Sequence, residues 1–271
     1  MRQIESFHQL TDLSAAVRNR REGFITNFYP DPYKHQVWID KGVAFFEECG
    51  KTVLIIKDNG PFWNIFYIST SIEELRDSVS SFAKSNGSRP LILDIVGRKE
   101  QCVPVVKVME DIGFNISSSL VRMQRLASAE DDFPKIENVS VAVEEDLHGI
   151  SRCLHEYFNE RLEQIPYDEE LLAYIMEKHV LIVKDQGRIC GFLIFEKNAS
   201  TLYLRYWFTK PEYREQRVGS KLLRQFFHEG LSTKRQILWV MEDNDNAVKR
   251  YVHYGFIDEN MYDYIVCNDN R

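Results

Sequence analysis

Apolar residues along the chain recur with a period of about two in some blocks and of about three to four in others, and the blocks alternate. In the first half, residues 51–58 and 62–70 read as strands on either side of the turn Asp58-Asn59-Gly60, a hairpin. Ser71-Ile72-Glu73-Glu74 has the form of a capping box and predicts a helix to about Lys84. Residues 91–96 read as a buried-type strand, a helix follows from about Val103 to Asp111 with Gly113 ending it, and 119–124 is a last strand. Upstream, residues 10–21 and 36–49 read as helices, the second capped by Gly50, with an aromatic loop at 28–33 between them.

The second half repeats this order. Residues 139–143 form a strand, 144–162 and 168–178 helices, and 180–184 with 189–195 a hairpin about Gln186-Gly187-Arg188. A strand at 202–208, a helix from about Val218, a strand at 237–241, a helix from about Asn246 and terminal strands complete it. Residues 128–138 are polar, acidic and carry Pro134, which reads as a linker. Met109-Glu110-Asp111-Ile112-Gly113-Phe114 aligns with Tyr251-Val252-His253-Tyr254-Gly255-Phe256, so we infer an internal duplication. On that register Met109 stands for Tyr251, Val105 for Ala247 and Cys102 for Asn244. The expected architecture is mixed α/β: a domain at 1–127, the linker, and a domain at 139–271, each a twisted mixed sheet flanked by helices.

The stretch 209–223 carries the candidate chemistry. It joins the aromatic strand ending at Phe208 to a helix with apolar pairs such as Leu222-Leu223 and Phe226-Phe227, and Pro211 breaks the strand. A helix start offers free backbone N–H groups and the positive end of a dipole, which together attract phosphate. Arg214, Arg217, Lys221 and Arg224 add full charges, and Gly219 lets the backbone come close to a ligand.

This stretch resembles the acyl-CoA pyrophosphate loop of the GNAT superfamily of N-acyltransferases: Gln or Arg, two residues, Gly, one residue, Gly or Ala. Arg214 fills the first position and Gly219 the last, while Arg217 stands where the first glycine is expected. A second signature of the same superfamily follows in the right order, with Asn244, Ala247, Tyr251 and Gly255-Phe256 all matching.

The resemblance implies an N-acetyltransferase that moves an acetyl group from acetyl-CoA to a primary amine by direct attack. Backbone N–H groups of Gln216, Arg217, Val218, Gly219 and Ser220 would hold the pyrophosphate, with Arg214, Arg217 or Lys221 adding charge-assisted bonds. The strand end at Phe208 and Thr209 would pair with the amide-bearing arm of the cofactor, Asn244 would cap its helix and face that arm, and Tyr251 would protonate the leaving sulfur. In the first half, the strand runs straight into a helix start already occupied by Ser71 and Glu74, so that half is expected to have lost cofactor binding.

A general base is not singled out; Glu242, Asp243, Glu196 and Glu156 are candidates by position. Arg205, inside a strand, faces solvent or a partner, or meets a carboxylate of an amino-acid-like acceptor. His148, His155, His179 and His253 read as ordinary surface or helix residues. The formal net charge of −7 speaks against nucleic acid as a partner, and with it against an enzyme that uses aminoacyl-tRNA. No apolar run is long enough to span a bilayer, and the early residues lack a signal-peptide core. The five cysteines are scattered and without paired spacing, so they read as reduced and not metal-binding in a cytoplasmic protein. The acceptor is expected to be a small-molecule or peptide amine. The rival reading is a non-catalytic acyl-CoA sensor or interaction module.

Overall fold

The computed structural model describes residues 1–128 and 130–269. Ala129, in the expected linker, and Asn270 and Arg271, at the end of the expected second domain, lie outside the described residues. The chain folds as two compact units, Met1–Leu120 with Asn260–Arg271, and Val121–Glu259.

The first half runs β1 (Arg2–Gln3), α1 (Phe7–Arg18), β2 (Ile25–Thr26), α2 (Pro32–Asp40), β3 (Ala44–Cys49), β4 (Thr52–Asp58), β5 (Trp63–Ser69), α3 (Ile72–Ser85), β6 (Leu91–Gly97), α4 (Lys99–Asp111) and β7 (Asn115–Leu126). The second runs β8 (Ser140–Val141), a 3-10 turn (Glu144–Asp146), α5 (Leu147–Tyr157), α6 (Asp168–Met176), β9 (Val180–Asp185), β10 (Arg188–Asn198) and β11 (Thr201–Thr209). It continues with a second 3-10 turn (Pro211–Gln216), α7 (Val218–Glu229), β12 (Arg235–Met241), α8 (Asp245–His253) and β13 (Ile257–Cys267). The mixed α/β class is as expected. The strand order is β1-β3-β4-β5-β6-β13 in the first unit and β8-β9-β10-β11-β12-β7 in the second. In each, one central pair is parallel: β5 with β6, and β11 with β12.

The compact units do not follow the expected boundaries at 127 and 139. β13 pairs with β6 from Tyr262↔Gly97 to Cys267↔Ile92, and residues 121–126 of β7 belong with β12. Each half's last strand thus completes the other unit's sheet. Among its described residues the expected linker has no regular element, yet it packs on α7: Phe133 lies 4.9 Å from the Phe227 ring, and the Ile136 N–H donates to Gln225 Oε1 at 2.8 Å.

Two elements were misread. The helix expected over 36–49 ends at Asp40, and Ala44–Cys49 is a strand paired with β4 from Ala44↔Lys57 to Cys49↔Thr52. Gly50 sits in the turn of that hairpin and caps no helix. The helix expected over 144–162 stops at Tyr157, so residues 158–165 form a loop, and the terminal strands are the single β13.

The two halves share one local construction at the join between helix and last strand. The Phe114 N–H donates to the Met109 carbonyl at 3.0 Å, and the Phe256 N–H to the Tyr251 carbonyl at 3.1 Å. Between them Gly113 and Gly255 take φ of +94° and +88°, a left-handed backbone that glycine adopts without steric cost. The register that sets Met109 against Tyr251 is therefore the register of the fold.

β11 positions the site. Its buried residues alternate as Leu202, Leu204, Tyr206 and Phe208. Tyr206 and Phe208 pack with Ile150, Leu154, Leu171 and Ile175 of α5 and α6, while Trp207 turns to the opposite layer, α7 and α8. No helix among the described residues is long and apolar enough to cross a membrane.

Candidate functional site

β11 and β12 run together only from Thr201↔Arg235 to Leu204↔Leu238. Against β10 the register slips at the same place: Ile194 faces Tyr206 and Phe195 faces Leu204, which leaves Arg205 as the extra residue of a bulge. A bulge bends and twists its strand. Beyond Arg205, β11 therefore stays with β10 and parts from β12. The Lys210 N–H donates to the Cys190 carbonyl at 2.9 Å, which fixes the ladder's alternation. Phe208 spends its backbone groups on β10, and those of Trp207 and Thr209 face the open side.

At the end of this open edge stands the start of α7. The chain leaves the 3-10 turn through Arg217, at φ +57°, and the first bond of the helix runs from the Lys221 N–H to the Arg217 carbonyl at 3.0 Å. The amides of Val218, Gly219 and Ser220 have no intrahelical acceptor, and no side chain caps them. Arg214, Gln216, Arg217 and Arg224 are exposed, and among the described residues no ion pair engages Arg214, Arg217, Lys221 or Arg224. Uncapped amides and unpaired cations in this arrangement are chemically suited to attract an anion.

Close packing holds the helix start against the sheet. A Cβ on Gly191 of β10 would lie 2.6 Å from the Phe208 carbonyl oxygen and 2.9 Å from Val218 Cγ1. A Cβ on Gly219 would lie 3.0 Å from Thr209 Oγ1 and 3.2 Å from Trp207 Cζ2. What Gly219 permits is thus the approach of α7 to β11, and the Trp207 indole N–H donates to the Gly219 carbonyl at 3.1 Å.

Arg217, the departure from the glycine pattern, takes the left-handed backbone that a glycine there would supply. Such a backbone costs an L-residue about 1–2 kcal/mol, of which glycine's extra unfolded-state entropy would return about 0.5–1. Arg217→Gly is therefore expected to raise stability by about 0.5–1 kcal/mol in a denaturant titration. A fall instead would mean that the guanidinium holds the turn.

α8 brings Tyr251 to the same edge. Its ring lies 5.7 Å from Trp207 and 5.7 Å from Phe256, and among the described residues nothing bonds its hydroxyl. Burial pushes the phenol far above its ordinary range, so it stays protonated at neutral pH and can serve as a proton donor. Asn244 caps α8, accepting from the Ala247 N–H at 3.1 Å. Ser220 bonds the Tyr254 hydroxyl at 2.9 Å, which ties α8 to the start of α7.

The sequence model described as the Acetyltransferase (GNAT) family matches residues 145–256, the segment that holds the uncapped helix, the open strand edge and Tyr251. Residues 145–256 form a GNAT acetyltransferase domain. No curated protein matches the chain. Solved structures with the same fold span nearly the whole of it. A GCN5-related N-acetyltransferase from Sphaerobacter thermophilus is 13% identical, with 95% of this chain and 92% of that one covered and a TM-score of 0.57. A GNAT-family acetyltransferase from Colwellia psychrerythraea is 14% identical over 98% and 97%, with a TM-score of 0.55. A tandem GNAT protein from the clavulanic acid biosynthesis pathway is 12% identical over 98% and 97%, with a TM-score of 0.59. The whole chain thus has a GNAT-type fold, with a tandem GNAT protein among its structural neighbours.

Within the GNAT domain, Thr209, Val218, Gly219, Ser220 and Tyr251 gather about the open edge, with Arg214, Gln216 and Arg217 on the approach to α7. Phe208 contributes its ring to the core beside Phe192 at 5.4 Å, and its backbone faces away from the opening. Arg205 is not free for a substrate carboxylate: Glu196 lies 3.5 Å from its Nε, and it donates to the Tyr203 hydroxyl at 3.1 Å. Glu196 also accepts from the Tyr174 hydroxyl at 2.7 Å, so its carboxylate is held between Tyr174 and Arg205. Glu242 and Asp243 are exposed. Sequence reading missed Trp207 and Gly191. The signal was present in the alternation of β11, which sends Trp207 to the face opposite Phe208. Among the described residues no group of His, Cys, Asp and Glu side chains is arranged to hold a metal ion.

The first unit repeats the opening and then closes it with its own chain. β5 and β6 pair only from Trp63↔Leu91 to Ile65↔Leu93, and β2 takes the freed edge, Ile25↔Ser69 and Thr26↔Ile68. Asn27 continues the plug. Its N–H donates to the Tyr67 carbonyl at 3.3 Å, its Oδ1 accepts from the Tyr67 N–H at 2.6 Å, and its Nδ2 reaches the Asp94 carbonyl of β6 at 2.7 Å. The start of α3 is filled as well, since Ser71 accepts from the Glu74 N–H at 3.2 Å and Glu73 and Glu74 supply the wrong charge for an anion.

Proposed function

We propose that the GNAT domain transfers an acetyl group from acetyl-CoA to a primary amine of a small molecule or peptide. The observation that carries this reading is the uncapped start of α7 beside the unpaired edge of β11, with free cations around it. The amides of Val218, Gly219 and Ser220, with Arg214 and Arg217, would hold the pyrophosphate. The backbone groups of Trp207 and Thr209 would pair with the amides of the pantetheine arm, as an added strand does. Acetyl-CoA supplies the activated thioester. Tyr251 gives its proton to the sulfur as the carbon–sulfur bond breaks, which removes the cost of expelling a bare thiolate.

Calorimetry with CoA tests the binding half. One CoA should bind per chain, because the first unit's slot is taken by residues 25–27. Arg214→Glu should weaken binding about a hundredfold or more, since a charge-assisted bond contributes about 1.5–3 kcal/mol and reversal adds repulsion. Normal affinity in that variant would remove the phosphate assignment, and two sites per chain would remove the plugged slot. The rival reading, a module that binds acyl-CoA without turnover, draws support from Arg217 in place of glycine. Binding with no release of free thiol across a broad panel of amines would favour it.

A further inference from the structure

Direct attack needs a neutral amine, and at neutral pH an aliphatic amine is an ammonium. The base is therefore sought among carboxylates on the segments packed against the open stretch of β11. Most are engaged. Glu196 is held by Tyr174 and Arg205, Asp168 by the Ser151 hydroxyl at 2.6 Å, Glu160 by His155 at 2.6 Å, and Glu170 accepts from the Tyr167 N–H at 2.8 Å.

Glu163 differs. It lies in the loop between α5 and α6, a loop stitched to β11 next to the bulge: the Tyr206 hydroxyl donates to the Gln164 carbonyl at 2.6 Å, and the Phe158 ring meets Tyr206 edge-on at 5.5 Å. The Asn159 N–H donates to Glu163 Oε2 at 3.0 Å and fixes the carboxylate, while among the described residues Oε1 has no partner. The side chain is half-buried. We propose that Glu163 is the general base of the GNAT domain, taking the proton from the acceptor ammonium through Oε1. The inference rests on the acetyl-transfer reading above.

The step balances. Glu163 takes one ammonium proton and passes it to solvent. The freed lone pair forms the carbon–nitrogen bond to the thioester carbonyl carbon, the carbon–sulfur pair leaves on sulfur, and sulfur takes the Tyr251 proton. The second proton on nitrogen restores the tyrosine, so each turnover yields amide, free thiol and one proton. Burial raises the Glu163 carboxyl above its ordinary range, which brings a carboxylate toward the strength a base needs at neutral pH. The Tyr206 phenol that anchors the loop feels the charge of Glu163 together with those of Arg205, Tyr203 and Glu170.

The test uses the full chain with n-butylamine as the ammonium probe. By carboxyl-carbon NMR, assigned with Glu163→Gln, Glu163 should titrate above the usual carboxylate midpoint, and saturating butylamine should move that midpoint down. In thiol release from acetyl-CoA, Glu163→Gln should lower the butylamine-dependent rate about a hundredfold and remove the acid limb of its pH profile. Glu163→Asp should recover part of the rate, and both variants should melt and bind CoA as the parent does. An ordinary midpoint, one indifferent to butylamine, or an undiminished rate in Glu163→Gln overturns the proposal. Failure of the parent chain to bind CoA overturns the acetyl-transfer reading instead, and the NMR titration reads Glu163 without it.

Discussion

Tyr251→Phe should bind CoA within about twofold of the parent and lose about a thousandfold in thiol release, the middle of the range for a positioned proton donor. The split between binding and turnover follows from where the residue sits. Its ring, not its hydroxyl, packs on Trp207 and Phe256, and phenylalanine keeps both contacts. The hydroxyl makes no bond that the fold needs, so its removal leaves no buried group unsatisfied. A phenol that burial holds in its neutral form has a proton to give at and around neutral pH. The loss should therefore lie in kcat and persist across the pH range, whereas loss of a base shows chiefly at low pH. Equal losses in CoA affinity and turnover would assign Tyr251 to packing. A full rate in the variant would make water or another group the donor.

Much of this site was legible because its chemistry is local in sequence. A strand, a basic turn and a helix start lie within residues 202–223, and a helix N-terminus carries its anion-binding groups in the backbone whatever encloses it. The Ser71 cap was legible for the same reason, and with it the occupied start of α3. What the sequence did not show is non-local. The bulge at Arg205 leaves the alternation Leu202, Leu204, Tyr206, Phe208 unbroken, so the parting of β11 from β12 has no local trace. The plug at 25–27 is too short to give a period. The pairing of β13 with β6 depends on residues more than a hundred positions apart, and a half-by-half reading assigns each last strand to its own half. The false helix over 36–49 has a different origin. Val37, Trp38, Phe45 and Phe46 repeat at intervals that suit a helix face, but pairing with β4 decides for a strand. Glu163 escaped because a base is recognised by which carboxylate its neighbours leave unengaged.

The first unit should lose about 3 kcal/mol of stability as the pH falls from about 6.5 to about 4, through one residue, His35. Burial, with Lys34 as the next cause, holds its pKa down from 6.5 to about 4. The geometry agrees. The Asp31 N–H donates to His35 Nδ1 at 2.7 Å, so that nitrogen must carry a lone pair. The ring is wedged between Phe28 at 4.8 Å and Trp38 at 4.7 Å, and the Lys57 ammonium lies 5.0 Å from the Trp38 ring. Protonation would set a donor against a donor and a third cation beside two lysines. The unfolded chain accepts the proton near pH 6.5 and the folded one only near pH 4, so stability is whole above the first value and drains away between the two. A difference of about 2.5 units at about 1.36 kcal/mol each gives the stated loss. Urea titrations at pH 7.5 and 4.5 measure it. His35→Gln keeps an acceptor for the Asp31 N–H and cannot titrate, so it should be weaker than the parent at pH 7.5 but change less on acidification. If parent and variant lose stability in parallel, the acid sensitivity belongs to other groups and the buried imidazole is a bystander.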